Sequence, residues 1–184
     1  MKKAFLLASV LFISVISTAC INNFAVQELN NKAKTFMEKG DYVSAIERLK
    51  SSIDLDGSIF ETHYNLAVAY TNAEDYLNAV KSYKDAIKLN PDFADAYYSL
   101  AVCEENLAKD IISGELLVNE DGSIIKVQDD KKSELDKNAK EVLISYLNDS
   151  VADYEIYLDK AQEPEDVQDE LNELKNLIEK YSVK

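Results

Sequence analysis

The chain has 184 residues, with 20 Lys and Arg against 34 Asp and Glu and a formal net charge of −14. That balance argues against nucleic acid as a partner, because phosphate contacts need basic patches. With 47% hydrophobic residues but only 4 Gly and 2 Pro, the composition suits a single helical domain with a core of its own.

Residues 1–19 stand outside the fold. Lys2 and Lys3 make a positive start, and Ala4 to Ile16 form an apolar run too short to span a bilayer comfortably. Ser17-Thr18-Ala19-Cys20 follows directly. Small residues ahead of a Cys at that place resemble the lipobox of bacterial lipoproteins, although Ser17 stands where Leu is usual. The resemblance implies cleavage before Cys20, lipidation of Cys20 by acyl chains such as palmitate, and attachment to a membrane in the cell envelope, outside the cytoplasm. An ordinary signal peptide and an uncleaved anchor are the alternatives. With Cys20 acylated, Cys103 has no partner for an internal disulfide and reads as a small buried hydrophobe.

Residues 20–25 read as a tether. Val26 to Lys39 is a helix, Gly40-Asp41 a turn and Tyr42 to Leu55 a second helix. The next pair lies between Ser58 and Phe93. His63, Leu66 and Tyr70 form one helical stripe and Val80, Tyr83 and Ile87 the answering one. Ser58-x-x-Glu61 reads as a capping box for the first helix and Asp75 as the N-cap of the second, with Pro91 as its stop. Sliding the chain by 34 residues, the offset from Tyr42 to Tyr76, sets Ala33 on Ala67 and Ala101. The same shift sets Ala45 on Ala79, Leu49 on Tyr83 and Leu55 on Leu89. A fixed period of this length marks a solenoid of repeated hairpins.

His63, Leu66, Ala67, Tyr70, Ala79, Tyr83, Ala86 and Pro91 fill the slots of the tetratricopeptide-repeat (TPR) pattern, which the chain resembles. His63 alone departs, standing where Trp is usual. The repeat at 26–59 is weaker, with Lys32 for Leu and Gly57 for Pro. A third begins well with Tyr97, Leu100 and Ala101, then breaks at Glu104, where Tyr is expected. The expected fold class is therefore all-α: a TPR-like helical hairpin solenoid with repeats at 26–59, 60–93 and 94–164, closed by a capping helix at 165–182.

The third repeat is interrupted at 113–131. Glu115 to Val118 and Ile124 to Val127 are apolar runs around the turn signal Asn119 to Ser123, which predicts a small inserted β-hairpin; an acidic loop is the alternative. Leu117 and Gln128 occupy the first and last ligand places of a calcium loop, so that motif is rejected. Ser133 to Ala161 reads as one long helix, and Pro164-Glu165-Asp166 as the opening of the last. Residues 26–93 carry 8 basic and 11 acidic side chains, net −3, and residues 94–184 carry 10 and 23, net −13. The acidic half is either a solvated face or a surface for a basic partner.

No catalytic constellation, phosphate loop or zinc spacing is present in the sequence, and no cofactor is implied. His63 reads as a core residue, and Glu104 and Glu105 point apart on their helix. The resemblance implies a concave groove lined by the first helix of each repeat. Its slots hold Gln27, Asn30, Asn31 and Lys34; then Glu61, Tyr64, Asn65, Val68 and Asn72; then Asp95, Tyr98, Ser99, Val102 and Glu105. In chaperone-binding TPR domains a carboxylate clamp uses basic residues of the third repeat. Asp95 and Ser99 stand there instead, so a C-terminal carboxylate is not the expected ligand. The leading expectation is a non-enzymatic adaptor, lipid-anchored in the envelope, whose groove holds a peptide or helix of another envelope protein. The alternatives are a self-associating structural protein, and an enzyme or small-ligand binder using Tyr64 and Tyr98. The groove surface could also serve only to pack the insertion or the long helix.

Overall fold

The computed structural model describes residues 23–127, 135–162 and 164–182. Its helices and strands are, in order, α1 (23–38), α2 (Tyr42–Leu55), α3 (Phe60–Asn72), α4 (Tyr76–Leu89), α5 (Ala94–Ser113), β1 (Leu116–Val118), β2 (Ile124–Lys126), α6 (Lys137–Lys160) and α7 (Gln168–Ser182). The lipobox and Cys20 lie outside the described residues. No described helix is long and apolar enough to cross a membrane.

The expected all-α hairpin solenoid is what forms. Each element packs on its chain neighbours: α2 on α3, α3 on α4, α4 on α5, α5 on α6 and α6 on α7. The small residues sit where helices cross. Ala33, Ala45, Ala67, Ala79 and Ala101 are all buried, since a side chain larger than a methyl would force the axes apart. In the third repeat the second helix offers Ser150 rather than Ala. Its hydroxyl donates to the Ala101 carbonyl at 2.9 Å, so a polar side chain is satisfied at full burial.

The first two repeats turn in the same way. Gly40 and Glu74, 34 residues apart, both have positive φ, at 74° and 56°. Asp41 and Asp75 follow them and cap α2 and α4, accepting from Ser44 N at 3.1 Å and Asn78 N at 3.3 Å. The corresponding residues of the third repeat are Ala108 and Lys109, which offer neither a left-handed turn nor a capping oxygen. So α5 runs on until Gly114, at φ 86°, ends it. The crossing residues Ala67 and Ala79 are 12 apart, whereas Ala101 and Ser150 are 49 apart. The insertion lengthens both helices of the third repeat and adds the hairpin β1–β2, antiparallel with Leu117 opposite Ile125. Leu116 is buried beneath it against α5 and α6.

Several local expectations are corrected. Helix α1 already includes residues 23–25, which were expected to be tether. The capping box at Ser58 does not form. Asp56 Oδ1 holds Ser58 N at 2.9 Å and Ser58 Oγ at 2.6 Å, and α3 starts after Ile59 without a side-chain cap. Helix α6 begins at Lys137, capped by Asp136, which accepts from Ala139 N at 2.7 Å. Helix α7 begins at Gln168 rather than at Pro164. Glu165 N instead donates to Tyr157 Oη at 2.8 Å, and Asp166 Oδ1 accepts from Gln168 N at 3.0 Å. Glu104 does not break the repeat; it occupies the Tyr slot at 0% exposure.

Candidate functional site

The face built from the first helices of the repeats carries most of the sequence-predicted site. Helix α1 contributes Asn30 and Lys34 and helix α3 contributes Asn65, with Met37, Glu38 and Leu49, to a cleft of about 590 Å³. A second cleft of about 460 Å³ is lined by Asn23, Gln27, Asn30, Glu61 and Asn65 among others. Asn30 and Asn65 line both, so the two clefts adjoin each other between α1 and α3. The two asparagines differ in availability. Asn30 Nδ2 is held by Val26 O at 3.0 Å, Ser52 Oγ at 2.9 Å and Thr62 Oγ1 at 3.2 Å, which ties α1 to α2 and α3. Asn65 has no such internal tie among the described hydrogen bonds and is partly exposed.

Further along, the aromatic positions repeat. Tyr64 packs edge-on against Tyr83 at 5.6 Å and Phe93 at 4.9 Å. One repeat on, Tyr98 packs on Tyr154 at 5.8 Å and Tyr157 at 5.1 Å. Both tyrosines are half-buried. Ser99, Val68 and Val102 are partly exposed between them. Asn72 is exposed and folds its amide onto Val68 O at 2.8 Å, while Asp95 and Glu61 are exposed. Glu105 is not free: Oε1 meets Lys109 Nζ at 2.6 Å, and Oε2 accepts from Tyr154 Oη at 3.2 Å. Burial pushes the Tyr98 hydroxyl above its usual range, and the carboxylates of Glu165 and Glu170 add to it.

Two features escaped the sequence reading. The first is the set of acids on the approach to α7 and in α7, Glu165, Glu170 and Glu173, whose charges act on Tyr98 and Lys109. The second is a buried group on the other side of α5. There Lys84 Nζ stands 2.8 Å from Glu104 Oε1 and 3.9 Å from Asp149 Oδ2. Lys84 meets Glu104 as an ion pair, and Asp153 approaches the same carboxyl, yet among the described residues neither oxygen of Glu104 has a partner with full hydrogen-bond geometry. Burial outweighs Lys84 and pushes the Glu104 carboxyl up to about 8, with Asp153 and Asp149 adding to the shift. Asp153 is raised to about 6, again by burial first. The sequence signal was the acid in the Tyr slot; its partners, in α4 and α6, were not visible from that position.

The remaining predicted residues are structural. His63 is half-buried with Nε2 3.0 Å from Gly57 O. Cys103 is buried, its Sγ 3.2 Å from Thr71 Oγ1, and burial pushes its thiol up to about 11, far from a reactive thiolate. Among the described residues no group of three His, Cys, Asp or Glu side chains is placed to hold a metal.

Comparison with known proteins agrees with this geometry. Residues 60–93 match the family model of the tetratricopeptide repeat. No curated protein matches the chain in sequence. Among solved structures, the first TPR of Spaghetti (RPAP3), bound to the HSP90 peptide SRMEEVD, is similar with a TM-score of 0.59 at 18% identity, over 84% of this chain and 93% of that one. The second TPR domain of human RPAP3, in complex with the HSP70 peptide SGPTIEEVD, gives 0.57 at 19%, over 84% and 98%. The Arabidopsis OM64 TPR domain gives 0.60 at 13%, again over 84% and 98%. Residues 60–93 thus match the tetratricopeptide-repeat model, and the chain as described shares the fold of solved TPR domains.

Proposed function

We propose that the chain is a non-enzymatic adaptor whose groove holds an extended or helical segment of another protein, and that Cys20 anchors it by lipid to a membrane of the cell envelope. The observation that carries the first part is the pair of adjoining clefts between α1 and α3, where Asn65 and Lys34 have no side-chain hydrogen bond or ion pair among the described residues, with the half-buried Tyr64 and Tyr98 on the same series of helices. An amide donates to and accepts from a peptide backbone, and a tyrosine offers amphipathic area. Peptide occupancy of the similar RPAP3 domains supports the same use here. The anchor rests on the sequence pattern from Lys2 to Cys20; two or more acyl chains, at about 0.8 kcal/mol per buried methylene, hold a protein stably on a bilayer.

The test compares wild type with Asn65→Ala/Tyr98→Ala in membrane solubilisates, with circular dichroism confirming that both are folded. A partner captured by wild type and absent from the folded double variant is the expected result; equal capture by both refutes the groove. In the same cells Cys20→Ser should move the protein to the soluble fraction, and unchanged membrane retention refutes the lipid anchor.

A further inference from the structure

The groove carries mixed charge at one end and acids without a paired cation, among the described residues, at the other. Between α1 and α3 its walls carry the amides of Gln27, Asn30 and Asn65 with charges of both signs, Lys34 against Glu38 and Glu61. At the far end, Asp95 and Tyr98 lie on one face of α5, three residues apart, and Asp95 is exposed. Tyr157, 5.1 Å from Tyr98, takes a hydrogen bond from the backbone N–H of Glu165 at 2.8 Å, which brings the chain entering α7 beside it. After burial, the charges of Glu165 and Glu170 raise the Tyr98 hydroxyl, and after the Glu105 contact, those of Glu173 and Glu170 raise the Lys109 ammonium. Lys109 is already bound to Glu105 at 2.6 Å and Lys160 to Asp92 at 3.1 Å. Among the described residues, none of Asp95, Glu165, Glu170 or Glu173 has a cation within ion-pair distance.

Resting on the groove reading above, we propose that the occupant is an extended segment with Lys or Arg at one end. Its basic end is seated at Tyr98 between α5 and α7, and its polar remainder runs toward Asn65. A partly exposed tyrosine in a field of carboxylates suits an ammonium or guanidinium group, through cation–π attraction and charge together. The same surface repels an acidic peptide. The peptides bound by the similar RPAP3 domains, SRMEEVD and SGPTIEEVD, end in acidic residues, so this groove has selected the opposite sign.

The experiment is selection of a random octapeptide library, displayed on phage, against the full chain immobilised in detergent. Parallel selections use Glu170→Gln/Glu173→Gln, Glu120→Gln/Asp121→Asn at the hairpin tip, and Asn65→Ala/Tyr98→Ala. Thermal melts confirm that each variant is folded. The expected result is enrichment of Lys and Arg on wild type and on the hairpin variant, with that enrichment lost on Glu170→Gln/Glu173→Gln. The best wild-type peptide should bind that variant at least about fivefold more weakly and show a shallower salt dependence from about 50 to about 300 mM. Enrichment of neutral or acidic peptides that depend on Asn65 and Tyr98 overturns the charge inference and leaves the groove standing. Basic enrichment lost equally with the hairpin variant overturns the placement, since net charge alone then accounts for it. Enrichment indifferent to Asn65→Ala/Tyr98→Ala, or none on any protein, overturns the groove reading and this inference with it.

Discussion

Glu104 shows what a single side chain does when a slot made for tyrosine is filled by an acid. With no exposure to solvent and no aligned hydrogen bond, its carboxylate is costly to keep charged even with Lys84 beside it. Its folded-state value of about 8 lies above the ordinary 4.5, so between those values the folded chain binds more protons than the unfolded chain. Stability must then fall as pH rises: the contribution of the neutral carboxyl is fully present below about 4.5 and is lost as pH rises through about 8. Asp153, raised from 3.8 to about 6, acts with the same sign in a lower window. Glu104→Gln keeps a neutral group of the same shape and should remove the upper part of this loss. Thermal melts from about pH 5 to about pH 9 should show wild type losing more Tm than the variant; equal losses would show that Glu104 stays ionised in the fold. The departure from the repeat pattern was legible as a residue, but its meaning was not. Asp149 and Asp153 reach it from a helix placed there by the crossing of Ser150 over Ala101.

At the scale of the element, the turns explain which parts of the fold were readable. A short-range signal survived wherever the local geometry had no competitor. Asp75 was readable as a cap because Asn78 N has no better acceptor nearby. Ser58 was misread because Asp56, two residues earlier, takes both its N–H and its hydroxyl, and a carboxylate accepts more strongly than a distant backbone donor attracts. The positive φ of Glu74 was not legible, because glutamate gives no sign of it; only alignment with Gly40 points to it. A left-handed conformation costs a non-glycine residue about 1–2 kcal/mol. Glu74→Gly should therefore stabilise the chain by about 0.5–1 kcal/mol after the added flexibility of the unfolded state is counted. The reverse change at Gly40, to Glu, should cost about 0.5–1 kcal/mol by the same balance. Urea unfolding midpoints measure both. No gain from Glu74→Gly would mean that the Glu74 side chain makes a compensating contact.

At the scale of the whole molecule, the period made the fold legible, since small residues 34 apart require helices that cross in the same way. The sequence also located the interruption of the third repeat. It did not show which surface the inserted and terminal segments would complete, because a 49-residue separation between crossing residues contains no periodic signal. The same linear plan governs stability. Because the major contacts run between chain neighbours, from α2–α3 through to α6–α7, the effect of a weak point should spread along the chain rather than across it. Leu174 of α7 is completely buried. Leu174→Ala should cost about 2–4 kcal/mol, as removal of a core leucine does when the cavity does not collapse. Hydrogen exchange should register that loss unevenly. Amides of α7 and α6 should lose protection first, while those of α3 and α4, supported on both sides by α2 and α5, should keep most of theirs. Equal loss from α3 to α7 would mean that the repeats open as one unit. The clefts between α1 and α3 would then be coupled to the acidic end at α7, and a segment bound at one end would stabilise the other.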